Sequence, residues 1–238
     1  MTKPLRGRLI CFEGLDGAGK TTVAQLVTSV LNTRGIHTKL VERKDPNFPL
    51  EDLSKHMLLL KKLIWEYGDI PVQKLGDYYA LYNMASWFSA IDIYKIRPLL
   101  DAGVTTVVDN WYFKFLSRLI RKKTIAVEHL KGCFSHLTYP DLVIYLDITP
   151  EVAAKRKDHF NKGETGYFDG FGQPSREHFI RYQKLVQEIM NKLAQQHGWF
   201  TVSVDNKTPQ QVGSIIIETI EQICDTPRVP INKKNSEI

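Results

Sequence analysis

The chain has 238 residues, 43% of them hydrophobic, which is enough to bury a core and suggests one α/β domain. Lysine and arginine exceed aspartate and glutamate by 32 to 26, a balance that suits a phosphate-rich ligand; without a basic stripe interleaved with aromatics, nucleic acid is not the expected partner. Glu13 and Asp16 interrupt the first apolar run, so neither a signal peptide nor a membrane span is expected, and Cys11, Cys133 and Cys224, without metal-type spacing, suggest reduced thiols of the cytoplasm.

The first strand is expected over residues 8–12. It leads into Glu13-Gly14-Leu15-Asp16-Gly17-Ala18-Gly19-Lys20-Thr21-Thr22, in which residues 14–21 match G-x-x-x-x-G-K-[ST] in full. Glycines let successive backbone N–H groups curl toward one centre at the positive end of a helix, so Gly14, Gly17, Ala18, Gly19, Lys20, Thr21 and Thr22 are expected to cradle a phosphate chain. Lys20 would add charge on the outer phosphates and Thr21 a hydroxyl for a magnesium ion. The bland alternative is a glycine turn that starts a helix, but it gives the lysine and the hydroxyl no purpose. The helix carries Val23, Ala24, Leu26, Val27, Val30 and Leu31 at helical spacing and is ended by Gly35.

Residues 37–43 alternate as a second strand, and Pro46 and Pro49 make 44–49 a loop. Arg43 and Lys44, at that strand's end, are placed to hold an acidic acceptor; Asp16 faces the same cleft, where its carboxylate can accept a hydrogen bond from a sugar hydroxyl. Residues 50–65 read as a helix, broken by Gly68, Asp69, Ile70 and Pro71. A long helix is expected over 77–100, kinked near Arg97 and Pro98 and closed by Gly103. Most of its aromatics, Tyr78, Tyr79, Tyr82, Trp87, Phe88 and Tyr94, read as core or interface, with Tyr82 the candidate wall of a nucleobase pocket.

Residues 104–109 form a buried strand ending in Asp109, whose carboxylate is expected to hold magnesium beside the phosphate loop and to border the substrate; the alternative is a helix cap. Residues 113–137 read as helical, and Arg118, Arg121, Lys122 and Lys123 as a solvated basic face. After a core strand over 140–147, Thr149, Pro150 and Glu151 start a helix by capping. It runs into a basic, glycine-rich stretch, about residues 155–172, that suits a lid over polyphosphate, with Arg156, Lys157 and Lys162 closing on the γ-phosphate; a loose surface loop is the alternative. A helix from Ser175, a last strand over 200–204 and a helix begun by Thr208 and Pro209 complete a domain of residues 1–225, and 226–238 read as a disordered tail. Five strands alternating with helices imply a parallel sheet covered on both faces.

The loop Phe12 to Thr22, the run Val107-Val108-Asp109, and Pro140 to Asp147 with Pro150-Glu151-Val152-Ala153 and Arg156 resemble the thymidylate kinase family, over about residues 8–205. The resemblance implies a P-loop NTPase fold with a five-stranded parallel sheet, transfer of the γ-phosphate of Mg-ATP to dTMP, and a homodimer packed through long helices. It assigns Asp16 to the acceptor sugar and Arg43 to its phosphate. Because Gly17 replaces the arginine that some members carry in the phosphate loop, it assigns the catalytic charge to the lid, to Arg156 beside Lys20 and Asp16. The chain leaves the family pattern at Asn110, where an arginine grips phosphate, and at Trp87, Phe88 and Ser89, where an arginine reads thymine. Two alternatives therefore accompany the dTMP kinase reading: a P-loop kinase for another nucleotide, nucleoside or small phosphorylated acceptor, and a non-catalytic nucleotide-binding module.

Overall fold

The computed structural model describes residues 6–66 and 72–225. Five strands, β1 Leu9–Gly14, β2 Thr38–Val41, β3 Thr105–Val108, β4 Leu142–Asp147 and β5 Phe200–Ser203, form one parallel sheet in the order β2-β3-β1-β4-β5. The three central strands are covered by helices on both faces and are mostly apolar: every residue of β1 and β3 is buried. The edge strands are less covered: β5 exposes every second residue and β2 exposes Lys39. The connection from β1 runs to one side of the sheet and that from β3 returns to the other. The carboxyl ends of β1 and β3 therefore flank a crevice, the usual place for a ligand in an open α/β sheet.

Helix α1, Lys20–Thr33, packs Val23, Ala24, Val27 and Leu31 on the sheet. Helix α2, Glu51–Trp65, and α3, Gly76–Ile91, stand beside the crevice. The long helix expected over 77–100 is interrupted one turn earlier than its proline, by a π turn at Asp92–Ile96, before α4, Arg97–Asp101. Pro98 has no N–H for the Tyr94 carbonyl, and widening the preceding turn relieves the ring clash. The helical stretch expected over 113–137 is two helices, α5 Phe113–Lys122 and α6 Val127–Phe134, separated where Lys123 adopts φ 58°.

Helix α7, Pro150–Lys155, begins as the sequence suggested: Thr149 Oγ1 accepts from Val152 N at 3.4 Å and Pro150 takes the first turn. Two 3-10 turns, Lys162–Glu164 and Tyr167–Asp169, precede α8, Arg176–Gln196, and α9, Pro209–Asp225, closes the fold against α1. The expected break at 68–71 and the expected tail at 226–238 lie outside the described residues. Among the described residues no helix is long and apolar enough to cross a membrane, and Cys11, Cys133 and Cys224 are free thiols.

Candidate active site

Between β1 and α1 the chain turns through Gly17 and Gly19, each at φ 86°. A Cβ on Gly17 would come within 2.9 Å of the Ala153 carbonyl oxygen, because α7 backs the loop, whereas nothing lies within 4 Å of one on Gly19. The Lys20 ammonium lies along the loop and donates to the carbonyl oxygens of Gly14, at 3.0 Å, and Leu15, at 2.7 Å. Burial holds it below its ordinary range, against the opposing pull of Asp16 and Glu13.

β3 delivers Asp109 to the same place. Thr21 Oγ1 donates to Asp109 Oδ2 at 2.8 Å, and Asp109 Oδ1 accepts from the Arg43 backbone N–H at 3.2 Å. Trp87 Nε1 in turn donates to the Arg43 carbonyl at 2.8 Å, so Arg43 is pinned from both sides with its guanidinium 5.5 Å from the Trp65 ring centre. Thr21 and Asp109 fit a magnesium ion. Both present hard oxygen donors, the ligand type that magnesium takes.

Beyond the loop lies a cavity of about 230 Å³, lined among others by Asp16, Arg43, Tyr79, Lys114, Arg118 and Tyr182. Here the solvated reading of the basic face fails for Arg118, Arg121 and Lys122, because α5 packs against α8 and turns them inward, while Lys123 is exposed as expected. Asp16 lies 2.6 Å from the Lys114 ammonium and 2.9 Å from Arg118 Nη2. Burial alone would raise the Asp16 carboxyl, but Lys114, Arg118 and Lys20 outweigh it and hold it far below the usual carboxylate range. Gln183, fully buried on α8, donates from Nε2 to Asp16 Oδ2 at 3.2 Å and to the Glu164 carbonyl at 2.8 Å, joining the phosphate loop to the lid. Arg121 and Lys122 both pair with Asp169, and Lys122 also with Asp77.

Those contacts also correct the picture of a loose loop over 155–172. Asn161 and Glu164 form a reciprocal cap, Lys157 lies 3.1 Å from Glu164, and Thr165 is fully buried. Arg156 is not brought to the phosphate loop: its Nη2 donates to the Val204 carbonyl at 2.8 Å, across to the end of β5, while Lys162 is the expected lid cation that lines the cavity. Tyr82 is not brought there either. It shares an outward face of α3 with Tyr78, is 50% exposed, and its hydroxyl lies 3.1 Å from His129 Nε2; Tyr79 and Asn83, each one residue further on and so about 100° around that helix, line the cavity instead. Asn110, buried at φ 109°, contributes an uncharged wall. Trp87 and Phe88 are core, and Ser89 is tied to His136 at 2.7 Å.

Sequence reasoning passed over Lys114, hidden between Phe113 and Phe115. A signal was available, since Lys114, Arg118 and Lys122 recur every four residues and so share one helix face. It also passed over Glu13, fully buried behind the loop, whose Oε1 accepts from the Trp111 N–H at 3.0 Å; burial pushes its carboxyl up to about 7 against Lys20 and Trp111.

The family model described as thymidylate kinase matches residues 12–216. A protein of Saccharolobus solfataricus named probable thymidylate kinase 2 is 26% identical over 91% of this chain and 96% of its own length. The thymidylate kinase of Schizosaccharomyces pombe is 32% identical over 70% of this chain and 72% of its own. A solved structure of thymidylate kinase from Candida albicans superposes with a TM-score of 0.68 at 22% identity, covering 98% of this chain and 94% of the other, which establishes the P-loop NTPase fold. The match runs from within β1 past every other strand into α9, and on that evidence the chain belongs to the thymidylate kinase family.

Proposed function

We propose that the protein transfers the γ-phosphate of Mg-ATP to dTMP, giving dTDP and ADP. The observation that carries this reading is the phosphate loop opening onto a cavity whose far wall presents Arg43, Lys114 and Arg118 around Asp16. The loop N–H groups and Lys20 hold the donor phosphates; on ligand entry Lys20 exchanges the Gly14 and Leu15 carbonyls for phosphate oxygens. Thr21 and Asp109 would hold magnesium, which would supply positive charge against the donor's outer phosphates. Arg43, fixed by Asp109 and Trp87, orients the acceptor phosphate, one of whose oxygens attacks the γ-phosphorus in line as the bond to ADP breaks. Asp16 accepts from the acceptor sugar's hydroxyl. Lys162, which lines the cavity, takes the role of lid cation over the transferring group.

A second acceptor is favoured by one observation: no cation stands at Trp87, Phe88 or Ser89 to read a thymine edge, and the wall offers Tyr79, Asn83 and Met84 instead. A coupled assay of ADP release across nucleoside monophosphates and nucleosides decides between them. Release with dTMP supports the first reading, release only with another acceptor selects the second, and ATP binding without release selects a non-catalytic module. We further infer a homodimer in the cytoplasm: Leu58 and Leu59 of α2 and Tyr78 and Tyr82 of α3 are large apolar side chains exposed on the long helices, and the free thiols suit a reducing compartment.

A further inference from the structure

Lys114 is a lysine that burial should not tolerate unless something anionic meets it. Its side chain is 5% exposed, it lines the cavity, and its Nζ makes no hydrogen bond of good geometry although Asp16 Oδ1 lies 2.6 Å away. Asp16 is already engaged by Arg118 and Gln183. Removing an ammonium from water costs several kcal/mol and is offset only by a paired and hydrogen-bonded anion. Burial accordingly draws the Lys114 ammonium well below its ordinary range, with Asp16 opposing.

The charges at this end of the cleft define what is missing. Of the charged side chains that line the cavity, five cations, Arg43, Lys114, Arg118, Lys122 and Lys162, face three carboxylates, Asp16, Asp77 and Asp169. That leaves two positive charges, which a phosphomonoester dianion neutralises and an uncharged nucleoside does not. The neighbouring Asn110 carries no charge to share that role. The Nζ has its remaining donors unengaged on the cavity side of α5.

We propose that Lys114 binds the phosphate of the acceptor, donating to its non-bridging oxygens beside Arg43, and so makes the site select nucleotides over nucleosides. This rests on the kinase reading above and deepens it. The test is equilibrium binding of dTMP and of thymidine, without ATP, to the wild type and to Lys114→Met, Lys114→Gln and Lys114→Arg, with ATP binding measured on each as a check of the fold. Loss of a charge-assisted hydrogen bond predicts dTMP affinity weakened about 10- to 100-fold in Lys114→Met. Thymidine affinity stays at the wild-type level and most dTMP affinity returns in Lys114→Arg. In turnover the same loss appears in KM for dTMP more than in kcat.

Equal weakening of dTMP and thymidine overturns the proposal, since that is what a purely structural partner of Asp16 would produce; so does unchanged dTMP affinity. If Lys114→Met does not bind ATP, Lys114→Gln carries the comparison with the same outcomes. The two readings fail separately. Should the wild type prefer another nucleoside monophosphate, with the same dependence on Lys114 relative to its nucleoside, the choice of dTMP falls and the role of Lys114 stands. Turnover of dTMP that is indifferent to Lys114 gives the reverse.

Discussion

Glu13 offers a sharp test of the electrostatics behind the phosphate loop. Its carboxyl is fully buried, one oxygen accepts from Trp111 N–H, the other has no hydrogen-bond partner, and burial raises it from 4.5 to about 7. A carboxyl raised on folding retains its proton where the unfolded chain has released it. Stability from this group is therefore complete below pH 4.5, declines as pH rises toward 7, and is lost above that. At 1.36 kcal/mol per pH unit the loss amounts to about 3 kcal/mol. Glu13→Gln keeps the shape and an acceptor for Trp111 but cannot ionise. Urea unfolding of both proteins from pH 4 to 8.5 should show the variant gaining on the wild type through this window, by about 2 to 3 kcal/mol at the alkaline end. Taking the difference removes the opposite slope expected from Asp16, which is held low in the fold and common to both proteins. Parallel curves for the two proteins would refute the assignment.

Lys20→Ala should abolish measurable phosphoryl transfer while leaving the thermal transition within a few degrees of the wild type, since the Lys20 ammonium bonds only to loop carbonyls; differential scanning calorimetry beside the coupled assay checks both. Lys162→Ala should lower kcat about 10-fold or more, as expected for loss of a cation at the transferring group, whereas Arg156→Ala should change it less than about threefold and destabilise by about 1 kcal/mol through the lost bond to Val204. Steady-state kinetics of the two variants side by side reverses the assignment if Arg156 proves the costlier. Replacing Leu59 and Tyr82 together by arginine should convert a two-chain species to one chain in light scattering, because both protrude from the surface assigned to the dimer.

The phosphate loop was readable from sequence because each of its residues answers a local demand: glycine where φ is positive, lysine and a hydroxyl at a helix start. Asp109 was readable for a related reason, since a buried parallel strand ends where the sheet presents its ligands. The cations of α5 were not, because helical period fixes which residues share a face but not which neighbour that face meets. Arg118, Arg121 and Lys122 turn inward only because α8 brings Tyr182 and Gln183, and the lid brings Asp169, from some fifty residues or more away. The same ambiguity chose Tyr82 over Tyr79, which lies three residues back, about 60° away around α3, and lines the cavity. Arg156 was assigned by proximity in sequence; the short α7 carries it instead to the end of β5.

Gly17 bears on how such an enzyme can change. With the Ala153 carbonyl 2.9 Å from where a side chain would begin, the loop has no room for an arginine unless α7 retreats, and α7 leads directly into residues 155–172. Placing a cationic side chain in the loop is thus not a single substitution. It requires two structures to change together, and a protein engineer seeking faster turnover has a shorter route through Lys157 and Lys162 than through the glycine.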